Sequence, residues 1–305
     1  VIGLYEGYYV ELFDGSIWAV KGCCHEDGRV VAMPRVVDGR KYKGYEDQMN
    51  LVKRLYSRYL ARPSFTTREI PMIPSRDVKR IIRPSSNVLC MDREDLVTVA
   101  NEIIEILDRN AGGEWMITGS LLYCMPSWES DIDVISYRAD RRNIDRVIDL
   151  IDRGILRRPS VAEAVGEALE NPEGIGLRLR VLGLLRGVQS IYYKGARVTL
   201  QVVRCDRRVL STICCDKTYS SSYSAVIEII EPLSDFSSPY IYYANLVRVY
   251  EGDLKDGDEI LAYSHRARYA SLARGSRLVC RGLIEFGSDG SRYLNLDLSY
   301  CFLWE

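Results

Sequence analysis

Two acids, Asp131 and Asp133, alternate with Ile132 and Val134 at the start of an apolar run. An earlier apolar run, Trp115–Thr118, breaks at Gly119-Ser120, with ten residues between Ser120 and Asp131. Side chains alternate faces along a strand, so positions i and i+2 share a face about 7 Å apart. At that separation, with an effective dielectric of about 20, two carboxylates repel by roughly 2 kcal/mol. A divalent cation reverses the sign of that term, and hard oxygen ligands suit Mg²⁺ or Mn²⁺. The Gly-Ser corner offers backbone N–H groups to an anion, most effectively where a helix begins. Ser130, directly before the acids, is placed to orient Asp131 or to meet a phosphate; a serine that merely starts a strand fits the sequence equally well. A carboxylate pair beside a phosphate corner is the chemistry of a nucleotide-using enzyme.

The surrounding pattern predicts how these residues are positioned. Asp92 reads as an N-cap, with Asp95 three residues later, for a helix running to about Asp108. Leu96, Val99, Ile103, Ile104 and Leu107 line one side of it, and Asn110–Gly113 end it. Strand Trp115–Thr118, the corner, a short helix broken near Pro126 and strand Ile132–Tyr137 follow. A helix over about Arg141–Ile151, two helices within 160–188 separated by Asn171-Pro-Glu-Gly174, and a hairpin around Lys194-Gly195 complete an α/β unit with a mixed sheet. Before it, residues 8–36 read as strands joined at Asp14-Gly15 and Asp27-Gly28, and 45–60 as an amphipathic helix. Residues 61–90 hold prolines 63, 71, 74 and 84 among Arg and Ser, the composition of a linker or an arm across a neighbouring domain. After about 210, five strands are expected, Ala225–Glu231, Ile241–Val249, Glu259–Tyr263, Arg277–Glu285 and Ser291–Phe302, with a helix over His265–Ala273. They suggest a small barrel of the oligonucleotide/oligosaccharide-binding kind. The class is therefore α+β, in three parts: 1–90, 91–210 and 211–305.

Composition bounds the alternatives. The 305 residues contain no apolar stretch of bilayer-spanning length, and the first residues lack a signal-peptide pattern, so a cytoplasmic location is expected and no membrane partner. A net charge of −1 gives no global attraction to nucleic acid, although basic patches can exist on a neutral protein. Arg outnumbers Lys 33 to 8, favouring fixed bidentate contacts to carboxylate or phosphate. The nine cysteines show no Cys-x-x-Cys spacing and are expected as buried thiols on strands, intramolecular disulfides being the alternative only for a hyperthermophile source. His25 and His265 lie far apart in sequence, in different parts of the chain, which argues against a histidine-activated nucleophile. Gly174-Ile-Gly176 lacks the further glycine of a dinucleotide loop. Tyr263, His265, Arg266, Arg268, Tyr269, Arg274, Arg277 and Arg281 interleave cations with aromatics, a mixture able to track phosphates and stack bases. A solvated strand edge is the default for that stretch, as a linker face is for the Arg-rich 76–83 segment.

Gly119-Ser120, ten residues, then Asp131-x-Asp133, set on helix, strand, corner and strand, resembles the signature of the polymerase-β-like nucleotidyltransferase superfamily over roughly residues 92–205. The layout, with a hairpin-rich start and a β-rich tail, is similar to that of uncharacterised archaeal predicted nucleotidyltransferases. The resemblance implies a nucleotidyltransferase-type mixed sheet and an NTP substrate. It also implies close approach of Gly119 to the β/γ-phosphates, a phosphate contact from Ser120, and two Mg²⁺ ions held by Asp131 and Asp133. A nucleoside monophosphate would pass in line to an acceptor, RNA being the first expectation. Two departures stand out. The third carboxylate of active members, on a later strand, is replaced at the matching position by Thr199, with Gln201 two residues on; Asp206 and Glu228 are the other acids considered for that role. Tyr123 occupies a place where some members carry an Arg for the γ-phosphate, for which Arg138, Arg141 or Arg142 would have to compensate. The alternative expectation is a fold that has lost catalysis and binds nucleotide or nucleic acid.

Overall fold

In a computed structural model of the chain, residues 3–26, 28–127, 130–170 and 174–304 are described. Asp27 of the expected Asp27-Gly28 turn, Trp128 and Glu129 ahead of the acids, and residues 171–173 of the expected helix break lie outside the described residues.

The N-terminal part is a sheet with one helix. Strands β1 (Tyr9–Leu12), β2 (Ile17–Val20), β3 (Arg29–Val37) and β4 (Arg40–Lys41) precede helix α1 (Tyr45–Leu55). Strands β5 (Leu60–Ala61), β6 (Ile70–Pro74) and β7 (Val78–Ile82) then complete the order β5-β6-β3-β2-β1-β7, with β4 on β3. Of the segment 61–90, expected as a linker or an arm, 70–74 and 78–82 are strand, whereas Ser64, Thr66 and Thr67 bond across to Lys217 and Glu285 of the C-terminal part, as an arm would. Pro74 and Pro71 sit at the ends of the β6 pairings with Arg29 and Leu60, where a missing N–H is tolerated. The core gathers around Trp18, fully buried, whose ring meets Tyr56 at 5.1 Å and Tyr59 at 5.8 Å edge-on.

The middle part opens with α2 (Glu94–Asn110), followed by β8 (Trp115–Thr118), α3 (Gly119–Leu122), β9 (Ile132–Ser136) and α4 (Arg141–Asp152). Helices α5 (Val161–Glu170) and α6 (Leu177–Arg186) lead to β10 (Ser190–Tyr193) and β11 (Ala196–Val202). Asp92 falls in a 3-10 turn, and Arg93 takes the N-cap position of α2 without a side-chain bond, so the expected Asp92 cap is not formed. Asp140 does cap α4: its side chain accepts from Asn143 N, and the Asn143 side chain accepts from Asp140 N. The sheet order is β10-β11-β9-β8, with β11 and β9 parallel and the other pairs antiparallel. Leu96, Ala100, Ile103, Ile104 and Leu107 bury one stripe of α2 in a core shared with Ile117, Val134 and Leu200. Each such Leu or Ile contributes about 1.5–3 kcal/mol by leaving water.

The C-terminal part begins after α7 (Arg207–Ile213) and holds β12 (Lys217–Ser234), β13 (Tyr240–Glu251), β14 (Glu259–Ser264), β15 (Arg277–Gly287), β16 (Arg292–Asn295) and β17 (Tyr300–Leu303). Pairings run β12-β13-β14-β16-β15, and β15 pairs β12 again, so five strands return on themselves; β17 attaches to β15. The expected helix over His265–Ala273 shrinks to a 3-10 turn at Ala267–Tyr269, and the expected last strand splits at Leu296–Leu298. Among the described residues no helix is long and apolar enough to cross a membrane.

The expectation of buried thiols is overturned. Cys23–Cys205, Cys24–Cys214, Cys90–Cys124 and Cys280–Cys301 are disulfides, and Cys215 alone is free. Sequence spacing carries no trace of this, because adjacent Cys23 and Cys24 reach partners 182 and 190 residues away. Both bridges tie the β2–β3 connection to the segment after β11.

Candidate functional site

The site is built on the parallel pair β9 and β11. Register sets Thr118 of β8 on one side of Asp133 and Thr199 of β11 on the other. Asp131 lies one residue before β9, and the Thr199 hydroxyl donates to its Oδ2 at 2.8 Å. Thr199, the expected position of a third carboxylate, thus lies against both acids as a neutral hydroxyl. Arg197, two residues earlier on β11, brings Nε to 3.8 Å from Asp131 and donates from its other end to Glu170 at 3.0 Å.

Gly119 closes the site from the β8 side. Its φ is +67°, and a Cβ there would lie 1.8 Å from Asp133 Oδ2. Only a glycine lets the corner approach the carboxylate this closely. The Ser120 hydroxyl donates to Ser130 Oγ at 3.3 Å, and Ser130 Oγ also accepts from Ser127 N at 2.7 Å. Ser130 thus ties the loop back to the corner. The Cys90–Cys124 bridge anchors the residues just after α3.

Burial, and then the charge of Asp131, push the Asp133 carboxyl up to about 7, against the pull of Arg35 and Arg197. Both causes penalise the ionised carboxyl, and a ligand that brings positive charge relieves both. The donors present fit one Mg²⁺ or Mn²⁺, which is commonly held by one or two carboxylates with water and phosphate oxygens completing the shell. Among the described residues no group of three or more His, Cys, Asp or Glu side chains assembles around a common point. Asp206 caps α7 and pairs with Arg204, and Glu228 pairs with Arg277 on the ring of strands, so neither serves as the third acid.

A cation near Tyr123 comes from another sheet. Arg35, half-buried on β3, donates to Tyr42 O at 3.5 Å, and its charge acts on Tyr123, whose ring lies 5.0 Å from that of Tyr9. Burial would lower the Arg35 pKa, but Tyr9, Tyr123, Asp133 and Asp131 hold it raised. Arg138 and Arg141 do not compensate: they pair with Glu114 and with Asp235 and Asp145, and Arg142 is exposed at the start of α4. Sequence reading missed both Arg35 and Arg197. The alternation of β11 puts 197 on the face of 199, a usable signal, whereas an arginine inside the apolar strand Val30–Val37 hints only that its charge finds a partner. Thr118 Oγ1 donates to Gly7 O at 2.6 Å, and Tyr137 OH donates to Glu6 O at 2.7 Å, which hold the N-terminal sheet against this edge.

Comparison with known proteins finds nothing: no family profile, no curated sequence and no solved structure matches this chain.

Proposed function

We propose that the chain is a metal-dependent nucleotidyltransferase that moves a nucleoside monophosphate from an NTP to an acceptor. The observation that carries it is the convergence, at the start of the interior strand β9, of the Asp131/Asp133 pair with a glycine corner packed against Asp133. Asp131 and Asp133 would hold Mg²⁺ or Mn²⁺, which when bound neutralises triphosphate charge and lowers the barrier to displacement. Gly119 lets phosphate oxygens approach the corner backbone, and Ser120 offers a hydroxyl to them. Arg35, on whose guanidinium the charges of Asp131 and Asp133 act, supplies the positive charge that the corner itself lacks. The acceptor oxygen bonds to the α-phosphorus, the bond from that phosphorus to the bridging oxygen breaks, and pyrophosphate leaves with the electron pair. The acceptor proton departs to water on the open side of Asp131, whose side chain is 29% exposed. The five strands that return on themselves we read as an oligonucleotide-binding type of barrel, which supports RNA as the acceptor class.

A neutral Thr199 at the third-acid position favours one competing reading, a nucleotide-binding module without transfer. Incubation with labelled NTPs, Mg²⁺ or Mn²⁺ and RNA separates the two. Transfer should appear with wild type and vanish in Asp131→Ala/Asp133→Ala. NTP binding without any transfer by wild type would sink the enzyme and leave the module.

A further inference from the structure

A cleft of about 470 Å³ opens between the N-terminal sheet and the C-terminal ring of strands, and Arg35 lines it. That volume is within the range of about 300–1,000 Å³ that holds a bound organic ligand. The charges of Asp131 and Asp133 act on this same Arg35. The lining is strongly cationic in a chain of net charge −1: Lys21, Arg35, Arg68, Arg266 and Arg268 against Glu6 and Asp297. Lys21 is spoken for by Glu6 at 2.7 Å, and Arg266 lies 3.8 Å from Asp297. Burial and then the neighbouring Arg266 push Arg268 down to about 10.

Aromatic groups alternate with these cations. Tyr45 and Phe65 come from the N-terminal part, Tyr263 and His265 from the end of β14. Arg266 reaches across to the Tyr45 ring at 5.9 Å. His265 Nδ1 is buried with no hydrogen-bond partner among the described residues. The wall carrying Phe65 and Arg68 is fixed from the ring side. Glu285, wholly buried on β15, accepts from Thr66 Oγ1 and Thr67 N, each at 3.0 Å, and from Tyr263 OH at 2.9 Å. A fully buried carboxylate spent on holding one loop marks that loop's position as built rather than incidental.

We propose that this cleft seats the end of a single-stranded polynucleotide, with phosphates along Arg68, Arg268 and Arg35 and bases against Phe65 and Tyr45. Calling that strand the acceptor rests on the transferase reading; its binding does not. Interleaved aromatic and cationic side chains take a flexible strand by stacking and charge, with little dependence on sequence. A duplex offers no free base faces for such contacts.

Fluorescence anisotropy on the whole chain tests this with labelled single-stranded RNA and DNA of about ten nucleotides. Wild type should bind, and Arg68→Glu, at an exposed position, should weaken binding at least roughly tenfold and reduce the salt slope by about one. Phe65→Ala should weaken it roughly tenfold without changing the slope. Arg153→Glu, exposed beyond α4 and outside the cleft lining, should bind as wild type does. No strand binding by wild type, unchanged binding in both cleft variants, or a mononucleotide that binds as tightly as the strand would each overturn the proposal. Asp131→Ala/Asp133→Ala should retain strand binding. If wild type binds the strand yet transfers no label, the transferase reading fails and the cleft stands. If label reaches some other acceptor while no strand binds, the cleft fails and the transferase stands.

Discussion

Thr199 decides how much negative charge the site carries. Its hydroxyl donates to Asp131, so it softens the acid pair without adding a charge. Thr199→Asp should lower the metal-free melting temperature, because a third carboxylate joins two that already repel. The same variant should enlarge the rise in melting temperature produced by saturating Mn²⁺, since a ligand that binds only the folded state stabilises in proportion to its affinity. Equal Mn²⁺ shifts in variant and wild type would mean that no cation sits between 131 and 199. At the opposite wall, Gly119→Ala places a Cβ 1.8 Å from Asp133 Oδ2 at a φ of +67°. It should reduce transfer by roughly a hundredfold or more while the chain stays folded, as displacement by about 1 Å is enough for such a loss. The sequence made Gly119, Ser120, Asp131, Asp133 and Thr199 legible because one strand alternation and one corner place them. It hid Arg35, which approaches from a different sheet and owes its place to tertiary packing.

Periodicity carried most of the elements of the middle part. The β10–β11 hairpin turns at Lys194-Gly195, and α2 and α4 follow their apolar stripes. What periodicity could not show was β5–β7, where prolines mask short strands, or the return of β15 onto β12, which depends on pairing between distant residues. Glu6 is an instance of the same long-range packing. Buried, it accepts from Lys21 Nζ and Gly22 N, each at 2.7 Å. Burial alone would raise its pKa, but Lys21 and the Gly22 amide hold it below the usual carboxylate range. A depressed carboxylate contributes stability that is present above its unfolded-state value, near pH 4, and is lost as pH falls through the folded value. Glu6→Gln should therefore destabilise by about 2 kcal/mol at pH 7, and the difference from wild type should shrink as thermal melts are taken towards pH 3. A difference that grows on acidification would reverse the assignment.

For the molecule as a whole, the covalent ties between its first and last thirds matter most, and they were the least visible in the sequence. Cys23–Cys205 and Cys24–Cys214 close loops of 182 and 190 residues. In the chain-entropy account either bridge alone, closing so long a loop, restrains the unfolded chain by about 5 kcal/mol. Once one is in place, the second closes only the short circuit through residues 23–24 and 205–214, worth about 3 kcal/mol. Removing either bridge by Cys→Ser should thus lower stability by about 3 kcal/mol, whereas removing both should cost about 8 kcal/mol, more than the two single losses combined by about 2 kcal/mol. Urea melts of the two single variants and the double variant measure that coupling directly. Strictly additive losses would show that the bridges act through local native packing and not through the unfolded chain. A stability unchanged by dithiothreitol would show that the bridges do not form in solution.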